Sequence, residues 1–105
     1  AVTDIVDRLH KAGVRGIAQT LPPRSGFVKK GYTPEMEALR VRINEWIRDS
    51  ALFDYMVDAD SLLRDPKNPS FTDERYHQGD HLHPNQAGGM LLAQAYDLQK
   101  LTGEA

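Results

Sequence analysis

Cysteine is absent from the 105-residue sequence, so disulfide bonds and thiolate metal sites are both excluded. This absence identifies no compartment, because secreted and cytosolic proteins can both lack cysteine. No apolar run approaches the roughly 20 residues that a membrane-spanning helix requires. The first ten residues also lack the basic start and apolar centre of a signal peptide, and they form an amphipathic pattern instead. The sequence therefore predicts a globular chain without a membrane span.

An excess of positive charge is missing as well. The chain has 13 Lys and Arg against 15 Asp and Glu, which gives a formal net charge of −2. Domains that bind nucleic acid usually present a basic face, so no nucleic-acid partner is indicated. Arg24, Lys29 and Lys30 fall within one loop-like stretch, which we interpret as a solvated loop. With 40% hydrophobic residues, the composition is typical of a folded domain and argues against global disorder.

Apolar spacing and turn residues predict an alternation of helices and strands. Helices are predicted over residues 3–12, 34–49 and 85–101, and strands over residues 14–20 and 53–58. Alternation of this kind favours parallel strands with crossover helices, which is the α/β class. Two strands are too few for a stable α/β sheet, so we expect the chain to be one part of a larger domain.

The helix over residues 34–49 has the clearest signals. Thr33 can cap its start, and Pro34 occupies the first turn without the loss of a needed hydrogen bond. Trp46 belongs to its apolar stripe and is interpreted as a core packing residue. The stripe is predicted to face the core and consists of Met36, Leu39, Ile43, Trp46 and Ile47. The opposite, polar side consists of Glu37, Arg40, Arg42, Glu45 and Arg48.

Two loops are predicted beside these elements, over residues 24–32 and 65–79. Long irregular segments are uncommon in compact domains and are often functional, so we expect both loops to border a site. The aromatic residues that are candidates to line it are Phe27, Tyr32, Phe71 and Tyr76. Two caps are predicted in addition, namely Thr3 for the first helix and Asp60 for a short turn over residues 61–64.

The segment Gly79-Asp80-His81-Leu82-His83-Pro84-Asn85 carries the most chemistry. A histidine can accept a proton from a nucleophile near neutral pH when a carboxylate holds its ring in the right tautomer. Asp80 lies three residues before His83, so the pair can serve as orienting acid and base. The same spacing is compatible with a metal site that uses His77, His81 and His83 with Asp80. It is also compatible with an exposed polar loop in which His83 or Asn85 caps the last helix.

The wider context resembles the final conserved block of the SGNH hydrolases, which are also called GDSL-type lipases and esterases. That block is Asp80-x-x-His83-Pro84-Asn85-x-x-Gly88 in this sequence. Earlier segments are similar, in order, to the family's penultimate strand region, the helix that follows it, its last strand and the loop beyond. These segments are residues 14–23, 33–48, 53–60 and 63–66.

The resemblance implies the C-terminal half of a three-layer α/β/α, flavodoxin-like fold with parallel strands. It implies hydrolysis of a small-molecule, carbohydrate or lipid ester through a serine nucleophile. His83 would take the serine proton and then protonate the leaving alkoxide, and Asp80 would be its partner. The resemblance implies neither a metal nor an organic cofactor.

The family's Gly-Asp-Ser nucleophile block and its oxyanion-hole blocks are absent from these residues. Asn44 and Asn68 have no matching context for the oxyanion role. None of the serines follows Gly-Asp; they are Ser25, Ser50, Ser61 and Ser70. We therefore expect a C-terminal fragment that is inactive alone and that pairs with a missing N-terminal part or with itself. The alternatives are a metal-binding module on the His77, His81 and His83 cluster and a non-catalytic interaction domain.

Overall fold

A computed structural model describes residues 1–26 and 31–96 of the chain. It contains a mixture of helices and strands with a small parallel sheet, which is compatible with the predicted α/β class. The elements are α1 (Val2–Lys11), β1 (Ile17–Gln19), α2 (Pro34–Asp49), β2 (Tyr55–Val57), α3 (Ala59–Leu63), β3 (Arg64–Asp65), β4 (Asn68–Thr72), a 3₁₀ turn (Glu74–Tyr76) and α4 (Gln86–Ala95). None of the helices in the described ranges is long and apolar enough to cross a membrane.

The β1 and β2 strands form a parallel pair, as the alternation predicts, with Ala18 opposite Met56. Each strand has three residues and is therefore shorter than predicted. Val14 is not part of the strand. Its N–H donates to the carbonyl of Leu9 over 2.8 Å, so it closes the turn that follows α1. The predicted Thr3 cap is also wrong, since α1 begins at Val2 and no side chain caps it.

The α2 helix confirms the predicted range and cap, because Thr33 Oγ1 accepts a hydrogen bond from the N–H of Met36 over 3.2 Å. The predicted orientation of the helix is wrong. Four residues of the apolar stripe are 36–50% exposed, namely Met36, Leu39, Ile43 and Trp46. The core interpretation of Trp46 is therefore wrong as well, and its ring makes an edge contact with Phe53. The fully buried residues of α2 are Arg40 and Asn44.

Polar partners explain why Arg40 and Arg48 face inward, although Arg42 and Glu45 of the same polar side are exposed. Arg40 Nη1 donates to Asp60 Oδ1 over 2.6 Å and to the carbonyl of Leu21 over 2.9 Å. Arg48 pairs with Asp58 over 2.7 Å and with Asp60 over 2.8 Å. A buried charge is tolerated when it is paired and hydrogen-bonded in this way. The acidic residues that follow β2 thus determine which side of α2 packs inward.

Asp58, and not the predicted Asp60, caps α3. The Asp58 side chain accepts a hydrogen bond from the N–H of Ser61 over 3.2 Å. Asp60 is itself buried, with an exposed fraction of 5%. Thr20 connects the Asp58 carboxylate to the backbone of Asp60, because its hydroxyl donates to Asp58 over 2.8 Å and accepts from the Asp60 N–H over 2.9 Å.

The predicted loop over residues 65–79 is wrong in its first part, because β3 and β4 form an antiparallel hairpin there. Asp65 turns the chain, as its Oδ1 accepts a hydrogen bond from the N–H of Lys67 over 2.9 Å. Pro69 is tolerated in β4 because a two-stranded hairpin leaves N–H positions unpaired at its edges. Thr72 fixes the hairpin to the chain before α2, since its hydroxyl donates to the carbonyl of Pro23 over 3.1 Å.

The buried interior of the described ranges is small and half polar. Its apolar residues are Val6, Ala18, Val57, Ala59 and Leu63. Its polar residues are Thr20, Arg40, Asn44, Asp60 and Thr72. Buried polar side chains, held by hydrogen bonds and ion pairs, therefore lie among the apolar residues of the described interior.

Candidate functional site

The segment between the 3₁₀ turn and α4 brings Asp80 and His83 into contact. Asp80 Oδ2 lies 2.5 Å from His83 Nδ1. The other carboxylate oxygen, Oδ1, accepts hydrogen bonds from the backbone N–H of Leu82 over 3.0 Å and of His83 over 2.9 Å. The aspartate thus folds the backbone turn and holds the imidazole ring with the same side chain.

Electrostatics fix the state of this pair. The hydrogen bond from the His83 side chain, with those from the backbone N–H of His83 and Leu82, holds the pKa of Asp80 well below its usual range. An ionised carboxylate only accepts hydrogen bonds, so His83 Nδ1 carries the proton between them. Nε2 is then the ring nitrogen with a basic lone pair. The His83 side chain is 62% exposed.

The backbone of the turn is held in unusual conformations on both sides of Asp80. Gly79 has φ +102° and His81 has φ +62°. Glycine adopts such angles readily, whereas a residue with a Cβ pays about 1–2 kcal/mol. Strain of this kind persists only where the surroundings overdetermine it, and it is concentrated at functional sites.

A short antiparallel pairing closes the base of the turn. His77 and Pro84 form an isolated bridge. The Gln78 N–H donates to the carbonyl of His83 over 3.0 Å, and its side-chain amide donates to the carbonyl of Pro84 over 3.0 Å. The chain therefore enters and leaves the Asp80–His83 turn along two paired segments.

Asn85 connects this turn to the helix that follows. Its Oδ1 accepts a hydrogen bond from the Gly88 N–H over 2.9 Å and so caps α4, as one of the interpretations of the sequence predicts. Its Nδ2 donates to the carbonyls of Arg75 over 2.9 Å and His77 over 3.1 Å. The capping role is visible in the sequence, whereas the reach back to residues 75 and 77 is not.

Gly88 allows α4 to lie close to the 3₁₀ turn. A Cβ on Gly88 would lie 2.5 Å from the carbonyl oxygen of Tyr76 and 3.2 Å from the Cβ of Pro84. Only a residue without a side chain fits this contact. The glycine of the Asp80-x-x-His83-Pro84-Asn85-x-x-Gly88 block therefore has a packing reason.

The side chains of His77, His81 and His83 do not converge on one point in the structure. His83 faces Asp80, while the rings of His77 and His81 stack on each other with centroids 4.5 Å apart. Over residues 1–26 and 31–96, no group of three His, Cys, Asp or Glu side chains is arranged to hold a metal ion. The described part of the chain therefore gives no support to the metal-binding interpretation.

The aromatic candidates are divided between different parts of the molecule. Phe71 lies against His81, with ring centroids 6.3 Å apart, and Tyr76 lies beneath the guanidinium of Arg75. Tyr32 instead donates to Glu37 over 2.6 Å, and burial together with that hydrogen bond raises the pKa of Tyr32 to about 12. Phe27 lies outside the described residues.

Ser50, Ser61 and Asn44 fill local structural roles. Ser61 Oγ donates to Asp58 over 2.9 Å, and Ser50 Oγ accepts from the N–H of Leu52 over 3.2 Å. Asn44 pairs with both backbone groups of Leu21, at 2.8 Å and 2.9 Å. These contacts account for the three side chains without a part in catalysis.

A second Asp–His pair lies elsewhere on the surface. His10 Nε2 lies 2.7 Å from Asp54 Oδ2. The same oxygen accepts the N–H of Gly16 over 2.6 Å, and this backbone hydrogen bond, followed by that of His10, lowers the pKa of Asp54. The pair connects α1 to the approach to β2, so its contacts explain it as a structural tie.

Comparison with known proteins adds no relative to this picture. No protein-family model matches the chain, and no curated protein matches it significantly.

Proposed function

We propose that this chain carries the base and the orienting acid of a serine ester hydrolase of the SGNH, or GDSL, type. In this proposal the chain forms the C-terminal half of a three-layer α/β/α domain, and another segment brings the serine and the oxyanion-hole donors. The observation that carries the proposal is the contact between His83 Nδ1 and the ionised Asp80, within a turn of unusual backbone.

The proposed chemistry follows from the state of the pair. Asp80 holds the Nδ1–H of His83, so Nε2 accepts the serine proton as the hydroxyl oxygen attacks the ester carbonyl. Nε2–H then protonates the departing alkoxide, which leaves an acyl-enzyme. A water molecule next loses its proton to Nε2 and attacks the acyl carbon, and the serine leaves with that proton.

Three features support a contribution from another segment. The His83 side chain is largely exposed. The parallel sheet of the described residues has two strands, whereas parallel sheets are normally covered and larger. The apolar stripe of α2 faces solvent. Each of these surfaces would be covered by a half that completes the sheet and the catalytic site.

The test uses the complete open reading frame that contains residues 1–105 and measures hydrolysis of p-nitrophenyl acetate. We expect His83→Ala and Asp80→Asn each to lower kcat/KM by about 10⁴-fold, because the base is lost or its tautomer is released. The 105-residue chain by itself is expected to be inactive, since it lacks the nucleophile and the oxyanion donors. Because the pKa of Asp80 is strongly lowered, the fall of kcat/KM on the acid side of the pH profile should not report the protonation of Asp80.

His10→Ala is the matched control, because it removes the histidine of the second Asp–His pair. We expect this variant to retain the activity of the wild type. Full activity in His83→Ala would contradict the proposal. Failure of the complete reading frame to hydrolyse any short-chain ester would favour the non-catalytic interaction domain instead.

A further inference from the structure

His77 precedes His83 by six residues and has no part in the proposed chemistry. Its Nδ1 accepts hydrogen bonds from the N–H of Gly79 over 2.9 Å and of His81 over 3.4 Å. A ring nitrogen that accepts N–H groups carries no proton, so Nδ1 is the acceptor nitrogen of His77. The other ring nitrogen, Nε2, is buried and has no hydrogen-bond partner among the described residues.

The two amides that His77 accepts lie on either side of Asp80. They belong to Gly79 and His81, the two residues of this turn with positive φ. The Asp80 side chain branches from the backbone between these two amides, and its carboxylate contacts Nδ1 of His83. A single acceptor that fixes both neighbouring amides therefore also fixes the direction in which the Asp80 side chain leaves the chain.

We propose that His77 is a positioning residue, whose Nδ1 holds the turn in the conformation that joins Asp80 to His83. The inference rests on the proposed function for its catalytic meaning, but the geometry it concerns can be measured without an ester. The ring of His77 also stacks on that of His81, so its role as an acceptor must be separated from its role in packing.

The test compares His77→Asn with His77→Phe in the 105-residue chain. Asparagine places an acceptor oxygen near the position of Nδ1 but removes the ring, whereas phenylalanine keeps the ring and removes the acceptor. The measurement is the tautomer of His83 from its ring ¹⁵N shifts. Asp80→Asn supplies the reference for a ring that has lost its carboxylate.

We expect the Nδ1–H tautomer of His83 in the wild type and in His77→Asn. In His77→Phe we expect this tautomer to be lost, with ring shifts that match those of Asp80→Asn. A His77→Phe chain that keeps the Nδ1–H tautomer would overturn the inference.

Amide shifts of α2 and β2 show whether each variant is folded. If His77→Phe does not fold, His77→Asn decides alone, because loss of the Nδ1–H tautomer in a folded His77→Asn chain also overturns the inference. The hydrolysis assay is separate. A His77-dependent tautomer in a protein without esterase activity would support the positioning role and contradict the proposed function.

Discussion

Arg40 lies on the inward side of α2 and contacts carboxylates from two elements. Burial alone would lower its pKa, but the hydrogen bonds to Glu37 and Asp60 outweigh that effect and raise the pKa above its usual value. Asp60 depends on the same contact, because it is nearly fully buried. Each of the two charges also has a second partner, since Arg40 pairs with Glu37 over 2.7 Å and Asp60 pairs with Arg48 over 2.8 Å.

We predict that Arg40→Ala lowers the free energy of unfolding by about 1.5–3 kcal/mol, the usual range for the loss of a hydrogen bond to a charged group, because Asp60 keeps Arg48 as a partner. Arg42→Ala is the matched control, because Arg42 lies two residues away on the exposed side of the same helix. Its effect should stay within about 0.5 kcal/mol. Urea denaturation of both variants measures the difference, and equal losses would contradict the assignment.

Arg40 also shows where the sequence misleads at the scale of single residues. A helical pattern assigns apolar residues to the core and charged residues to solvent. It cannot detect that Asp58 and Asp60, far away in the sequence, provide partners for the charged side. The Asp80–His83 contact could be predicted because both residues belong to one turn, where spacing alone limits the distance.

At the scale of elements, α4 and the 3₁₀ turn pack through Gly88. This glycine is part of the block that resembles the SGNH hydrolases, and a side chain there would meet the carbonyl of Tyr76. The approach of α4 sets the position of its first residue and of the Asn85 cap. The distance between the 3₁₀ turn and α4 therefore depends on the lack of a side chain at Gly88.

We predict that Gly88→Ala lowers the free energy of unfolding by about 1–3 kcal/mol, because its Cβ would overpack against backbone. Gly89→Ala is the control in the same helix, where nothing lies within 4 Å of the added Cβ. That change should raise stability by about 0.5–1 kcal/mol, since alanine is the better helix former. Thermal unfolding distinguishes the two, and equal signs would contradict the packing argument.

Element boundaries could be predicted where local signals agree. Thr33 and Pro34 mark the start of α2, and both signals depend only on neighbouring residues. The β3–β4 hairpin was not predicted, because Asp65-Pro66 and Asn68-Pro69 indicate turns and conceal the strand residues around them. The prediction that the last helix continues to residue 101 falls partly on residues 97–101, which lie outside the described ranges.

At the scale of the whole molecule, the chain exposes more surface than its size requires. Its accessible area is 7125 Å², whereas a compact monomer of this mass exposes about 5,900 Å². The apolar stripe of α2 contributes to this extra accessible area. Ile17 in β1 and Leu21 after it are exposed as well. Apolar surfaces of this extent usually mark contacts with other polypeptide.

We predict that the isolated chain self-associates through the stripe and sediments above the mass of a monomer at micromolar concentrations. Leu39→Glu should shift the chain towards the monomer, because a charge on the stripe opposes its burial. Ala38→Glu adds the same charge to an exposed neighbouring position and should leave the association unchanged. A wild-type chain that remains monomeric at every concentration would contradict this prediction.

The hydrogen bonds that shape the Asp80–His83 turn begin and end within residues 75–88. The conformation of this segment therefore depends on its own sequence more than on the elements around it. An insertion between His77 and Asn85 would break the pairing that closes the turn, whereas an insertion beside Lys67 would only lengthen a hairpin tip. We expect the site to tolerate changes of chain length everywhere except within this short stretch.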